Sequence, residues 1–263
     1  MHISEINIYP VKSTKGIRLD SARVERRGLR FDRRWMVVDE SGLFISQRDV
    51  SKLALISTSV GEAMLTLSAE GRSSLSLPLI PTDNTLASAR VWEDEVRVCW
   101  MGKEADEWLT TFLGIRCRLV YMPDKTMRRV NPDYASPADV VSLADAFPVL
   151  LISQASLDDL NSRLSQPVPM NRFRPNIVVS GSKAFEEDSW RRIRLGSLVL
   201  RIVKPCSRCV TTTVDQATGV SGKEPLATLA GYRTRNGNVY FGQNAIPEND
   251  ALIHTNDEIE ILA

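Results

Sequence analysis

KPCSRCVTTTVD, residues 204–215, contains the two cysteines on which the interpretation of this chain depends, Cys206 and Cys209. Apolar residues alternate before the first cysteine, and β-branched residues follow the second. Both patterns favour extended backbone. We therefore predict strands over residues 198–204 and 210–214, with the C-x-x-C between them.

Four interpretations of this C-x-x-C compete. A structural zinc site needs a second ligand pair, and the sequence has neither another C-x-x-C nor an H-x-x-x-H. A thioredoxin-like pair should open a helix after a strand, whereas β-branched residues follow here. Two buried structural thiols are the third alternative, but a buried, unpaired Arg208 between them would be costly. The fourth is a thiolate that binds a soft metal centre beside the positive charge of Arg208.

Composition narrows the class of protein. The 263 residues are 43% hydrophobic and 25% charged, which is ordinary for a globular protein, and the net charge of +1 argues against a nucleic-acid partner. The N-terminus lacks a signal-peptide pattern, and no segment approaches the roughly 20 apolar residues of a membrane helix. We therefore expect a cytoplasmic protein with no membrane partner.

The remaining chemistry-bearing residues exclude other site types. The sequence has only two histidines, His2 and His254. These are too few for a His-rich metal site and argue against a Ser-His-Asp triad. Cys99 and Cys117 lie in apolar or mixed surroundings, so we expect them to pack in the core. The sequence has no G-x-G-x-x-G, P-loop or H-E-x-x-H.

The periodicity predicts a β-rich α/β protein. Short alternating segments dominate the first third, and apolar residues at helical spacing predict a helix over 104–113. Residues 123–147 are richer in Pro, Asp and Ser and mark the expected domain junction. Beyond it we expect a strand at 149–152, a helix at 155–164 with Ser156 and Asp159 as its capping box, and a hairpin at Asn236-Gly237.

Motifs along the whole chain resemble the MOSC family. Residues 176–179, 187–190, 204–215, 224–226 and 241–244 (NIVV, EDSW, KPCSRCVTTTVD, EPL and FGQN) resemble the MOSC domain. Upstream, YPVKS at 9–13 and FDRRW at 31–35 resemble the β-rich domain that precedes it in the amidoxime-reducing components and their bacterial relatives. The resemblance implies an N-terminal β-barrel-like domain over 1–122 and a MOSC β-barrel domain with flanking helices over 123–263.

The same resemblance implies a molybdenum cofactor, Mo-molybdopterin, in the cleft between the domains. Its metal ligand and catalytic residue would be Cys209, the second cysteine of C-S-R-C, while Cys206 would only pack nearby. The cofactor carries a phosphate, so its pocket needs fixed donors and positive charge. The expected cofactor-binding residues are Lys12, Ser13, Arg33, Asp145, Arg174, Asn176, Ser207, Arg208 and Asn244. The neighbouring arginines Arg26, Arg27, Arg30 and Arg34 are expected to be solvated, as are Arg128, Arg129, Arg191 and Arg192.

The function implied is reduction of small N-hydroxylated compounds such as amidoximes, hydroxylamines or N-hydroxylated bases. The sequence has no cysteines spaced for an iron–sulfur cluster, so we expect a separate electron-donor protein, either a reductase or a ferredoxin-like protein. Two alternatives remain: a sulfur carrier with a persulfide on Cys209, or a non-catalytic carrier of the cofactor. Related cofactor sulfurases add a pyridoxal-phosphate domain, for which 263 residues leave no room.

Overall fold

A computed structural model describes residues 1–83 and 85–263 and shows a strand-rich chain with few helices. The predicted β-rich α/β class is confirmed. The strands of the first half are β1 (His2–Ile8), β2 (Ile17–Leu19), β3 (Ser21–Glu25), β4 (Gly28–Leu29), β5 (Trp35–Val38), β6 (Ser57–Val60), β7 (Met64–Ser68), β8 (Leu75–Pro78), β9 (Leu86–Val91), β10 (Asp94–Trp100) and β11 (Arg118–Tyr121).

The second half continues the same pattern. Its strands are β12 (Arg128–Arg129), β13 (Val140–Val141), β14 (Val149–Ser153), β15 (Ile177–Ser180), β16 (Arg192–Leu195), β17 (Leu198–Ser207), β18 (Thr234–Arg235), β19 (Asn238–Pro247), β20 (Ala251–His254) and β21 (Ile259–Ile261). The helices are α1 (Lys103–Leu113), α2 (Gln154–Arg163) and α3 (Leu226–Ala230). Short 3₁₀ turns lie at Ser51–Leu55, Met170–Arg172, Glu186–Asp188 and Val210–Thr213.

One large sheet carries strands from both ends of the chain. Its order is β2-β1-β15-β14-β19-β17-β16-β21, with β18 paired to β19. Strands β14 and β15 are parallel and are connected by the crossover helix α2. All other neighbouring strands in this sheet are antiparallel. Strand β1 pairs antiparallel with β15, so the turn that follows β1 lies beside the start of β15. The expected boundary between residues 122 and 123 stays a prediction.

The N-terminal half adds a second layer with its own core. A four-stranded sheet, β5-β11-β10-β9, and a three-stranded sheet, β6-β7-β8, bury Trp35, Leu53 and Leu65 together with α1. Helix α1 buries Ala105, Trp108 and its neighbour Leu109, the helical spacing expected from the sequence, and ends at a left-handed Gly114. The predicted helix over 104–113 is confirmed.

Two local predictions are wrong for the same physical reason: hydroxyl side chains bond to the backbone nearby. Helix α2 begins after Ser153, whose Oγ accepts from the Ser156 amide at 3.1 Å, so Ser156 and Asp159 are not its capping box. Residues 210–213 form a 3₁₀ turn rather than a strand, because the hydroxyls of Thr212 and Thr213 donate to carbonyls three residues back.

A glycine sets the close packing of β19 on β14. Gly242 has φ of 79°, and a Cβ there would lie 2.5 Å from Ile152 Cγ1 and 2.8 Å from the Leu151 carbonyl oxygen. Only glycine tolerates both the backbone angle and the contact. The FGQN segment therefore holds β19, and with it Asn244, directly against β14. None of the helices within residues 1–83 and 85–263 combines the length and the apolar character that a membrane span requires.

Candidate functional site

One cleft is lined by all ten residues that the sequence singled out. They come from the turn after β1, the approach to β5, the loop before β14, the approach to β15, the end of β17 and its exit, and the middle of β19. The ten are Lys12, Ser13, Arg33, Asp145, Arg174, Asn176, Ser207, Arg208, Cys209 and Asn244. Their proximity is a structural finding, whereas their roles toward a cofactor remain predictions.

The two thiols of the C-x-x-C differ in access to solvent. Both are free; Cys206 is half-buried, and Cys209 is exposed in the cleft. Desolvation raises the pKa of the Cys206 thiol. The carbonyl of Cys209 accepts from both the amide and the hydroxyl of Thr212, at 3.1 and 3.0 Å, which fixes the backbone that carries its thiol. Cys209 is therefore the thiol presented to a ligand.

Two guanidinium groups of the cleft each have one N–H donor with no hydrogen-bond partner among the described residues. Arg208 donates to the Phe241 and Phe173 carbonyls at 2.8 and 3.0 Å, and Arg174 donates to the Thr14 carbonyl at 2.6 Å. In each, Nη2 is buried without a hydrogen-bond partner in the described chain. Desolvation lowers the pKa of Arg174 to about 10, so the group is still cationic at neutral pH. Because an unsatisfied buried donor is costly, both nitrogens suit an acceptor supplied by a ligand.

Tyr9, which the sequence analysis did not assign to the site, contacts two arginines of the cleft. The guanidinium carbons of Arg33 and Arg174 each lie 4.2 Å from the ring centroid of Tyr9. Burial raises the pKa of Tyr9 to about 12, so its phenol stays neutral and donates to the Pro175 carbonyl at 3.1 Å. The ring thus contacts both arginines by cation–π interaction.

Lys12 and Asp145 form an ion pair across the two halves of the chain. The Lys12 ammonium lies 2.5 Å from the Asp145 carboxylate and 2.9 Å from the Leu143 carbonyl oxygen. Desolvation in the cleft raises the pKa of Asp145, but the charge and hydrogen bond of Lys12, together with the charge of Arg33, lower it by more, so the pKa lies below its ordinary value. Asp145 is the single carboxylate among the described lining residues, against Lys12 and five arginines. The cleft therefore favours anions.

Arg33 and Asn176 tie the cleft to the large sheet. Arg33 Nη1 contacts both carboxylate oxygens of Asp32, at 2.9 and 2.7 Å, and the Asn176 amide oxygen at 3.2 Å. The amide nitrogen of Asn176 donates to the Asn7 carbonyl of β1 at 3.1 Å. Both side chains are engaged within the protein, so they shape the cleft rather than offering free donors.

Eight further arginines are predicted to be solvated, and the structure shows that this prediction is wrong for two of them. Arg34 is buried and donates to the Met122 carbonyl. Arg128 is buried and donates to the Ser142, Ala144 and Asp145 carbonyls, which holds the loop that presents Asp145. An arginine that bonds distant carbonyls leaves no local pattern in a sequence.

The sequence also missed several lining residues: Arg48, Trp92, Arg172, Phe173, Thr211 and Thr212. Residues with positive φ are concentrated in the cleft. Of the eight non-glycine residues with positive φ in the described chain, Ser13, Arg33, Trp92 and Arg174 line the cleft. Such conformations are costly and concentrate at functional sites. Sequence alone does not show them, because none of the four is a glycine or asparagine.

Both halves of the chain match known families. Residues 1–116 match the MOSC N-terminal beta barrel domain, and residues 138–260 match the MOSC domain. Mitochondrial amidoxime-reducing component 1 of Mus musculus is 38% identical over 279 residues, which covers 99% of this chain and 82% of the relative. The chain belongs to the amidoxime-reducing component family of MOSC proteins.

A second relative supports the same membership. Mitochondrial amidoxime reducing component 2 of Bos taurus is 39% identical over 241 residues, covering 88% of this chain and 72% of the relative. The resemblance read from the KPCSRCVTTTVD, YPVKS and FDRRW motifs is thereby confirmed. Neither matched domain supports pyridoxal-phosphate binding by this member of the family.

Proposed function

We propose that the cleft binds the molybdenum cofactor through Cys209 and that the protein reduces N-hydroxylated compounds. The observation that carries the proposal is the exposed Cys209 thiol in the same cleft as two buried guanidinium nitrogens that have no partner in residues 1–83 and 85–263. A thiolate is a ligand for soft metals. Guanidinium groups match the geometry of phosphate oxygens. The donor set therefore fits a group that combines a metal with an anionic tail.

The residues divide into donors and supports. Arg174 and Arg208 would donate to the anionic part of the cofactor through their free nitrogens. Ser13, Ser207 and Asn244 add neutral polar groups to the lining. Lys12, Arg33, Asp145 and Asn176 would hold the walls of the pocket through the pairs they already form.

When bound, the cofactor supplies a two-electron centre that accepts oxygen. In the net reaction, one electron pair and two protons convert an amidoxime into an amidine and water as the N–O bond breaks. The ionised Asp145, paired with Lys12, is a poor proton donor at neutral pH. We therefore expect solvent at the mouth of the cleft to supply the protons, and a separate electron-donor protein to supply the electrons.

Metal analysis combined with a reductase assay tests this function against its alternatives. Bound molybdenum with turnover of benzamidoxime supports the reductase. Molybdenum without turnover of any N-hydroxylated compound supports a cofactor carrier. Cyanide-labile sulfur on Cys209 without molybdenum supports a sulfur carrier.

Cofactor retention gives the first mutational prediction. Lys12→Ala, Arg33→Ala and Arg174→Ala should each purify folded but with less cofactor, and Arg174→Ala should lose the most, because its buried Nη2 has no hydrogen-bond partner among the described residues. Loss of one charge-assisted contact typically costs roughly 1.5–3 kcal/mol, or about tenfold to a hundredfold in affinity. Molybdenum per chain is the measurement, with Arg23→Ala, an exposed arginine on β3, as the control. Full occupancy in all three variants would remove them from the site.

A further inference from the structure

The tip of the β9–β10 hairpin is built against local preference. Val91 pairs with Asp94, so Trp92 and Glu93 form a two-residue turn, and Trp92 has φ of 56°. Turns of this length place glycine or asparagine at positive φ. A tryptophan in this conformation destabilises the turn, and the fold keeps it nevertheless. The cost is informative because Trp92 lines the same cleft as Cys209.

The indole is held in one orientation over the cleft. Its ring packs on Phe44, with centroids 4.9 Å apart, and its Nε1 lies 3.4 Å from the Asp145 carboxylate. Trp92 nevertheless remains 39% exposed. A rigid, partly exposed aromatic surface therefore lies next to a carboxylate at the cleft.

A planar nitrogen group already occupies that surface. The Arg48 guanidinium carbon lies 4.2 Å from the Trp92 ring centroid. Arg48 is exposed and has no salt bridge within residues 1–83 and 85–263; its side chain makes one hydrogen bond, to Ser46 Oγ at 3.4 Å. Cation–π contact with the indole is thus its main restraint, and a competing ligand can displace it.

We propose that Trp92 is a specificity-determining residue that stacks the planar N–C–N group of amidoxime-type substrates, with Arg48 as the group they displace. The guanidinium and the amidine group share a flat N–C–N frame, and the carboxylate of Asp145 accepts from the amino group of such a ligand. This inference rests on the proposed function and narrows it. Substrates with a conjugated N–C–N group are favoured over simple hydroxylamines, which have no flat face to stack.

The test compares two substrates in matched variants of the molybdenum-loaded protein. Trp92→Ala and Trp92→Gly should each raise KM for benzamidoxime roughly tenfold, the usual scale for loss of an aromatic stacking contact. The kcat for benzamidoxime and the KM for hydroxylamine should stay near the wild-type values. Equal KM changes for both substrates, or a change for neither, would overturn the proposal.

The pair of variants separates stacking from stability. Glycine suits the positive φ and alanine does not, so Trp92→Gly should melt at a higher temperature than Trp92→Ala. The proposal requires the two KM values to agree despite that difference. If KM instead follows melting temperature, Trp92 acts only on the hairpin and the proposal fails.

Calorimetric titration with benzamidine, the product, gives a readout without turnover. Both Trp92 variants should bind it roughly tenfold more weakly, and Arg48→Ala should bind it at least as tightly as the wild type. Weaker binding by Arg48→Ala, or unchanged binding by the Trp92 variants, would contradict the displacement model. If the wild type reduces neither substrate, the proposed function fails, and this titration alone decides whether Trp92 binds the N–C–N group.

Discussion

Replacing Cys209 with alanine should abolish molybdenum-dependent turnover, while Cys206→Ala should keep a substantial part of it. Cys209 is exposed in the cleft, and it supplies the thiolate that we assign to the metal. Without that thiolate, a soft metal loses its protein ligand. Cys206 is half-buried with a raised thiol pKa, which suits packing rather than ligation.

Activity and molybdenum content should be measured together in both variants. Cys209→Ser is a useful third variant, because it keeps the size of the side chain and replaces the soft sulfur with a hard oxygen. Equal loss of activity in the two alanine variants, with molybdenum retained in both, would point to a redox dithiol. That alternative needs this control, because a 3₁₀ turn follows Cys209, and the strand predicted there, which argues against a redox pair, does not form.

The purified 263-residue chain should reduce benzamidoxime with a reduced viologen and show almost no turnover with NADH or NADPH alone. A reductase needs an electron pair in each cycle. The sequence has no G-x-G-x-x-G, and its four cysteines lack cluster spacing. An artificial one-electron donor bypasses the missing partner because the Cys209 end of the cleft is exposed.

The rates with each donor should be compared on one homogeneous, molybdenum-loaded preparation. Cys209→Ala with the viologen serves as the control for direct reduction of the substrate by the dye. Steady NADH-driven turnover with no second protein present would overturn the requirement for a separate donor. A loaded protein that is inactive on every N-hydroxylated compound tried would favour the cofactor carrier.

Local patterns in the sequence predicted the elements that depend on neighbouring residues. The apolar spacing of α1 and the Asn236-Gly237 turn between β18 and β19 both form as expected, with positive φ at both turn residues. The C-x-x-C exit did not, because threonine hydroxyls of the 3₁₀ turn bond back to the carbonyls of Cys209 and Val210. β-Branching alone does not reveal that competition.

The candidate site likewise combines residues that sequence motifs mark with contacts that only the fold reveals. The motifs marked the ten lining residues through family resemblance, and the fold places them around one cleft. Composition and spacing could not show that Tyr9 contacts both Arg33 and Arg174, or that Arg128 holds the Asp145 loop. Those contacts join residues far apart in the sequence. Trp92 escaped notice because its positive φ contradicts, rather than follows, the preference of its residue type.

The central claim is that this cleft holds a molybdenum cofactor. The most direct measurement is the molybdenum and pterin content of the chain, alongside Cys209→Ala, produced in a host with an intact cofactor pathway. We predict that the wild type purifies with molybdenum and pterin in equal amounts that approach the amount of protein, and that Cys209→Ala retains clearly less molybdenum. Wild-type protein that is folded yet carries neither metal nor pterin would contradict the claim.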